Sequence, residues 1–289
     1  MKICLKCNKK FDNLYWVCPS CHHQIGKINS YLAFAPELAF TNDGFNVSAF
    51  AKLAELEAKN FWFCSRNRLI IWALKNYFTQ MYQCLEIGCG TGFVLSEIEQ
   101  TFPQLTLYGS EAFITGLDFA RKRLSRSELF QMDARKIPFE DEFDLICAFD
   151  VLEHIKEDEI VLKSMYRATN KYGGILLTVP QHPWLWSQAD AYARHVRRYS
   201  KEDLKNKVED AGFRIVKMTS FVSLLLPLML LSRLRQRKPT SNYDPLSEFR
   251  ISGILNVVLE KILNLELMMI KSGISFSYGG SLLLVAKKM

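Results

Sequence analysis

In Leu85-Glu86-Ile87-Gly88-Cys89-Gly90-Thr91-Gly92 an apolar, strand-like run carrying one acid breaks into three glycines spaced two apart. Glycine lets the backbone turn sharply and approach a ligand with no Cβ in the way. Such a turn after a strand is a weak signal alone, because dinucleotide sites use a similar one. The dinucleotide fingerprint is G-x-G-x-x-G. Here the third glycine, Gly92, falls one position early and Phe93 holds the expected place.

Outward from this turn, apolar runs recur at Cys84–Ile87, Leu105–Gly109, Leu129–Met132, Phe143–Phe149, Gly174–Val179, Phe213–Met218 and Leu282–Ala286. Helical stretches fall between them near 94–101, 114–124 and 157–169. This alternation predicts an α/β fold with a doubly wound, Rossmann-like seven-stranded sheet. Sheets of this kind bind ligands beyond the carboxyl ends of their strands. Glu111 stands at one such end, about 20 residues past the glycine turn, where a carboxylate can accept two ribose hydroxyls. Met132-Asp133-Ala134 follows the third run, and Phe149-Asp150-Val151-Leu152-Glu153-His154 the fourth.

Taken together, these residues resemble the class I S-adenosylmethionine (AdoMet) dependent methyltransferases of type 11/12, with Leu85–Gly92 as motif I. The segment Phe149–His154 is similar to that of the ubiquinone-biosynthesis O-methyltransferases. The resemblance covers about residues 60–220 and the final strand. It implies AdoMet as cofactor, with Glu86, Gly88, Cys89, Gly90 and Gly92 at the turn and Glu111 at the ribose. It also implies Asp133 and Ala134 at the adenine, and Phe149 and Asp150 near the methionine end. One arginine of Arg66-x-Arg68, assigned to Arg68, would grip the cofactor carboxylate through its fork of donors.

Transfer to a hydroxyl needs a base, and histidine suits neutral pH. His154, His182 and His195 are the candidates; His182 follows the fifth strand, beside Trp184-Leu185-Trp186. Some quinone O-methyltransferases hold a metal in an acid-x-x-Glu-His segment, so Asp150, Glu153 and His154 form a candidate Mg²⁺ site. A helix-start acid and a packing histidine are the plainer alternative. No Asn-Pro-Pro-Tyr-like segment follows the fourth strand, which argues against amino methylation of adenine or glutamine. The expectation is an oxygen on a small-molecule, glycan or lipid-linked acceptor. A non-catalytic AdoMet-binding, or membrane- or partner-binding, module of the same fold is the alternative.

Cys4-x2-Cys7 and Cys18-x2-Cys21 predict a structural zinc ribbon over residues 1–28, two tight turns offering a tetrahedral S4 set. A linker and helix over 29–60, with the helix at Ser48–Lys59, then lead to a methyltransferase domain at 61–289. A composition of 49% hydrophobic and 23% charged residues is that of a globular protein. No signal-peptide h-region or span-length run appears, so the expected place is the cytoplasm. A net charge of +7 with no dense basic-aromatic stripe gives no case for nucleic acid.

About 60 residues, 221–279, interrupt the fold before the last strand. Helices are expected at Ser223–Leu231 and Ile251–Lys271, around Arg233, Arg235, Arg237 and Lys238 and a linker at Pro239–Pro245. Two readings stand: a lid or homodimer face, favoured because both helices are so apolar, or a peripheral membrane patch through 221–238.

Overall fold

The structure, a computed structural model, describes residues 1–41, 45–235 and 251–289, the side chains at 234 and 235 excepted. The chain opens with β1 (Lys2–Ile3) and β2 (Lys10–Phe11), then β3 (Lys27–Ile28) and β4 (Tyr31–Ala33). Helices α1 (Ala49–Leu56) and α2 (Phe61–Tyr77) follow. Next come β5 (Gln83–Ile87), α3 (Phe93–Thr101), β6 (Thr106–Glu111), α4 (Ile114–Arg123) and β7 (Glu128–Gln131). Then come β8 (Phe143–Phe149), α5 (Asp158–Ala168), β9 (Thr169–Pro180), α6 (Gln188–Tyr192) and α7 (Lys201–Asp210). The chain ends with β10 (Arg214–Phe221), α8 (Leu226–Arg235), α9 (Gly253–Lys271) and β11 (Ser281–Lys287).

The large sheet runs β10-β11-β9-β8-β5-β6-β7-β4-β3. Parallel ladders join β7, β6, β5, β8 and β9, while β11 is antiparallel to both β9 and β10. The expected doubly wound α/β sheet of seven strands is therefore present. Neighbouring side chains on a strand point to opposite faces. Cys84 of β5 and Leu283 of β11 join the layer under α2, α3, α4 and α9. Leu85 and Leu282 join the layer under α5 and α7.

The segment read as a linker does more than connect. Its β4 adds to β7 in parallel and β3 pairs back antiparallel, extending the sheet by two strands. The cysteine ribbon is seated on the main body. Ile3 N–H donates to Pro138 O at 2.9 Å, and the Trp16 ring lies 4.5 Å from Phe34 and 5.3 Å from Phe139.

In the insertion, α8 starts three residues later than the apolar run suggested, with Pro227 in its first turn, where a missing N–H costs nothing. Leu259, Leu263, Leu267 and Ile270 of α9 are buried in the layer shared with α2. Arg233, expected in an outward basic cluster, points inward: it donates to Leu185 O at 2.8 Å and pairs with Asp190 at 3.2 Å. The Arg235 side chain, Arg237, Lys238 and the Pro239–Pro245 linker lie outside the described residues. Among the described residues, no helix is long and apolar enough to cross a membrane.

Candidate active site

One continuous cavity of about 1240 Å³ opens at the carboxyl ends of β5, β6, β8 and β9. Its floor is the glycine turn. Gly88 has φ +66°, and a Cβ there would meet Val151 Cγ2 at 2.5 Å, so both conformation and space demand glycine. Gly88, Cys89 and Gly90 line the cavity. Gly92, expected beside them, faces away: its φ is +74° and a Cβ would come within 3.0 Å of Ala120 Cα. It starts α3 and lets α4 pack close.

The turn is clasped from above. The short 3-10 turn after α1 carries Glu57, buried, which accepts from Thr91 Oγ1 at 2.7 Å and pairs with Arg123 at 2.9 Å. Phe45 and Phe50 thereby become cavity wall. No sequence signal marked Glu57.

Glu111, at the end of β6, is buried and faces the turn: one oxygen accepts Gly90 N–H at 3.1 Å and the other Ala112 N–H at 2.8 Å. Burial outweighs these bonds and pushes its carboxyl up to about 7. Glu86, on β5, has Oε2 buried with no hydrogen-bond partner among the described residues. Burial pushes its carboxyl up to about 8 against the pull of Arg66. Two such acids beside a cavity suit a ligand carrying positive charge. Asp133 and Ala134 lie on the wall beyond β7, with Asp133 capping the next turn and paired to Arg135 at 2.9 Å.

Arg66 and Arg68 are two positions apart on α2 and therefore face different ways. Arg68 is turned from the cavity and pairs with Glu260 and Asn264 of α9, so it is the wrong arginine. Arg66 lines the cavity, stacks on Trp62 with 4.6 Å to the ring centroid, and pairs with Asp150. That pairing takes Asp150 out of the expected Asp150-Glu153-His154 set. The groups that converge within 4.8 Å are instead Glu153, His154 and His195. Phe149 remains on the wall as expected.

The three candidate histidines separate. His182 is not on the cavity wall. Its backbone has φ +63°, and its buried ring lies in a stack with Trp184 and Tyr278 at 4.7 and 5.4 Å. His154 and His195 both line the cavity, edge to face with centroids 4.7 Å apart. Two backbone bonds bring the His195 loop there: Val196 N–H to Glu153 O at 2.7 Å and Tyr199 N–H to Pro180 O at 2.9 Å. Asp190 holds the His195 ring, with Oδ1 3.1 Å from Nδ1. Burial works against ionisation of Asp190. The His195 bond and the charges of Arg198 and Arg233 win, keeping its carboxyl well below the usual range. Burial pushes the carboxyl of Glu153, fully enclosed beside this pair, well up.

At the other end of the chain the four thiols of Cys4, Cys7, Cys18 and Cys21 lie within 4.8 Å of one another. Cys4 and Cys21 sulfurs are 3.6 Å apart, as are those of Cys7 and Cys18. A tetrahedron with metal–sulfur bonds of about 2.3 Å has edges of about 3.8 Å. The set fits a zinc ribbon.

Comparison with known proteins agrees with this geometry. A family model described as a methyltransferase domain matches residues 22–218. The malonyl-[acyl-carrier protein] O-methyltransferase of Priestia megaterium is 25% identical over 114 residues, 39% of this chain and 42% of that protein. The chain spans less than half the length of the curated relatives it matches. A SAM-dependent methyltransferase from Thermotoga maritima superposes with a TM-score of 0.53 and 17% identity, over 84% of this chain and 96% of that one. Phosphoethanolamine N-methyltransferase 2 of Haemonchus contortus, in complex with S-adenosyl-L-methionine, gives 0.52 and 19% over 77% and 52%. At those identities the two structures speak for the fold. The motif turn, the acids at the strand ends and the family match converge: this chain belongs to the methyltransferase domain family and has the α/β fold of its class I members.

Proposed function

We propose that the enzyme methylates an oxygen of a small-molecule or lipid-linked acceptor, with His195 as the base and Asp190 as its positioning residue. The observation that carries this is the Asp190–His195 bond of 3.1 Å on the cavity wall, made from the one side of the ring and leaving Nε2 for the acceptor. A base of this kind is needed for a hydroxyl, whose proton must leave as the new bond forms. The naming of the Priestia megaterium relative as an O-methyltransferase supports the same choice.

AdoMet supplies a methyl group on a positively charged sulfur, already a good leaving group. In this reading Glu111 accepts the ribose hydroxyls and the Asp133–Ala134 corner receives the adenine. Arg66 meets the cofactor carboxylate, and the orphaned Glu86 oxygen faces its ammonium. Phe149 and the backbone of Gly88, Cys89 and Gly90 shape the floor. Asp190 fixes the His195 ring so that alignment costs little entropy at the moment of reaction.

The test is incubation with methyl-labelled AdoMet and a cell extract, followed by mass spectrometry of the labelled product. An O-methyl product is expected; label found only on nitrogen or carbon would overturn the oxygen assignment.

We further propose that the ribbon holds one structural Zn²⁺ on Cys4, Cys7, Cys18 and Cys21. Metal analysis of the purified chain should find one zinc released by a mercurial, falling to none in Cys4→Ser with Cys18→Ser. Because so small a ribbon draws its folding energy from metal, its loss should also expose residues 1–28 to protease. A metal-free chain with a protease-resistant ribbon would refute the assignment.

A further inference from the structure

We propose that the acceptor is an amphiphile with a long apolar chain, and that this chain lies between α8 and α9. The proposal rests on the methyl-transfer reading above and names the substrate class for that same site.

The cavity is larger than the 300–1,000 Å³ usual for a small-molecule site. Its wall also includes side chains of the insertion, alongside those of α6 and the His195 loop. There the lining side chains are Val222, Leu225, Leu228, Met229, Leu255 and Leu259, from α8, α9 and the turn before α8. The charged side chain among them on α8, Arg233, is tied to Asp190 and to Leu185 O, so it does not offer its charge to an occupant of this end.

This wall holds both buried and half-exposed side chains. Leu225 and Leu259 are 6% and 7% exposed, whereas Leu228 and Leu255 are 50% and 42% exposed while still lining the cavity. Buried and half-exposed apolar side chains therefore line the same cavity as the base, with Ser232 and Ser281 also on its wall. On the same two helices Leu231, Ile254 and Val258 are exposed as well. A polar acceptor alone would leave this trough apolar and wet, a state that soluble surfaces avoid. A hydrocarbon chain matches its polarity. With its chain there, the head of such a molecule reaches His195 and His154, beside Lys156 and Arg194 on the same wall.

Calorimetric titration of the full chain with octanoate, decanoate and dodecanoate, below their micelle thresholds and with S-adenosylhomocysteine saturating, tests the proposal. One site is expected, with affinity rising about fourfold per methylene, the equivalent of about 0.8 kcal/mol. Leu228→Glu and Leu255→Glu change half-exposed positions, so both variants should fold. Each should abolish the chain-length dependence while S-adenosylhomocysteine binds as before. Length-independent binding, displacement of alkanoate by S-adenosylhomocysteine, or persistence of binding in both variants would overturn it. So would a dimer in sedimentation that Leu228→Glu splits, with no alkanoate bound, since a second copy would then cover the trough. Failure of S-adenosylhomocysteine itself to bind would instead strike the methyltransferase site, so the two failures stand apart.

Discussion

Methyl transfer by His195→Ala is expected to be slower by about 10²–10⁴-fold, the range set by loss of a positioned base. AdoMet binding, read by calorimetry, should hold, because the proposed reading puts His195 with the acceptor and gives the cofactor to Glu86 and Glu111, which lie on β5 and β6. Asp190→Asn should also slow the reaction, by less, since the ring remains but loses its ionic holder. A His195→Ala enzyme that turns over at the parent rate would move the base to His154, whose ring packs against it. A loss of AdoMet binding in step with the rate would show instead that the loop, and not the proton transfer, had been damaged.

The second large effect belongs to Glu111. Glu111→Ala should weaken AdoMet binding by roughly 10–150-fold, the worth of about 1.5–3 kcal/mol for hydrogen bonds to a charged group. The pH dependence gives a second readout. Glu111 and Glu86 titrate near 7 and 8 in the fold, raised from an ordinary 4.5. Folded values above unfolded ones mean that their contribution to stability is whole below pH 4.5 and is lost as pH rises through 7 to 8. A cationic cofactor draws both acids toward ionisation. Binding to the parent enzyme should therefore release protons near pH 7 and tighten as pH rises to 8. Glu111→Ala should remove the lower of the two steps. Binding that is flat with pH in the parent would contradict the placement of these acids against the cofactor.

The strands and the floor of the site were readable because each depends on short-range pattern: apolar runs, glycine spacing, an acid at a strand end. The positions that misled depend on what lies across the chain. Arg66 and Arg68 share a helix and a residue type, and only the arrival of Glu260 and Asn264 on α9 pulls Arg68 aside. His182 follows the fifth strand in sequence, yet its ring is taken up in an aromatic stack with Trp184 and Tyr278. Ser187-x-x-Asp190 is a readable helix-start pattern, which accounts for one role of Asp190. Nothing local says that the same carboxylate also gathers His195, Arg198 and Arg233 from three further points of the chain. The pairing of β4 with β7 was invisible for the same reason, since a three-residue strand carries almost no periodicity.

That pairing has a consequence for how the protein behaves in a crowded solution. Without it, β7 would be the border of the sheet, presenting a row of free amides and carbonyls to any neighbouring strand. β4 occupies that border and β3, only two residues long, ends it, leaving little template for another chain to extend. The ribbon then rests its Trp16 on Phe34, the residue that follows β4. The small cysteine module thus packs against the segment whose strands close this border of the sheet.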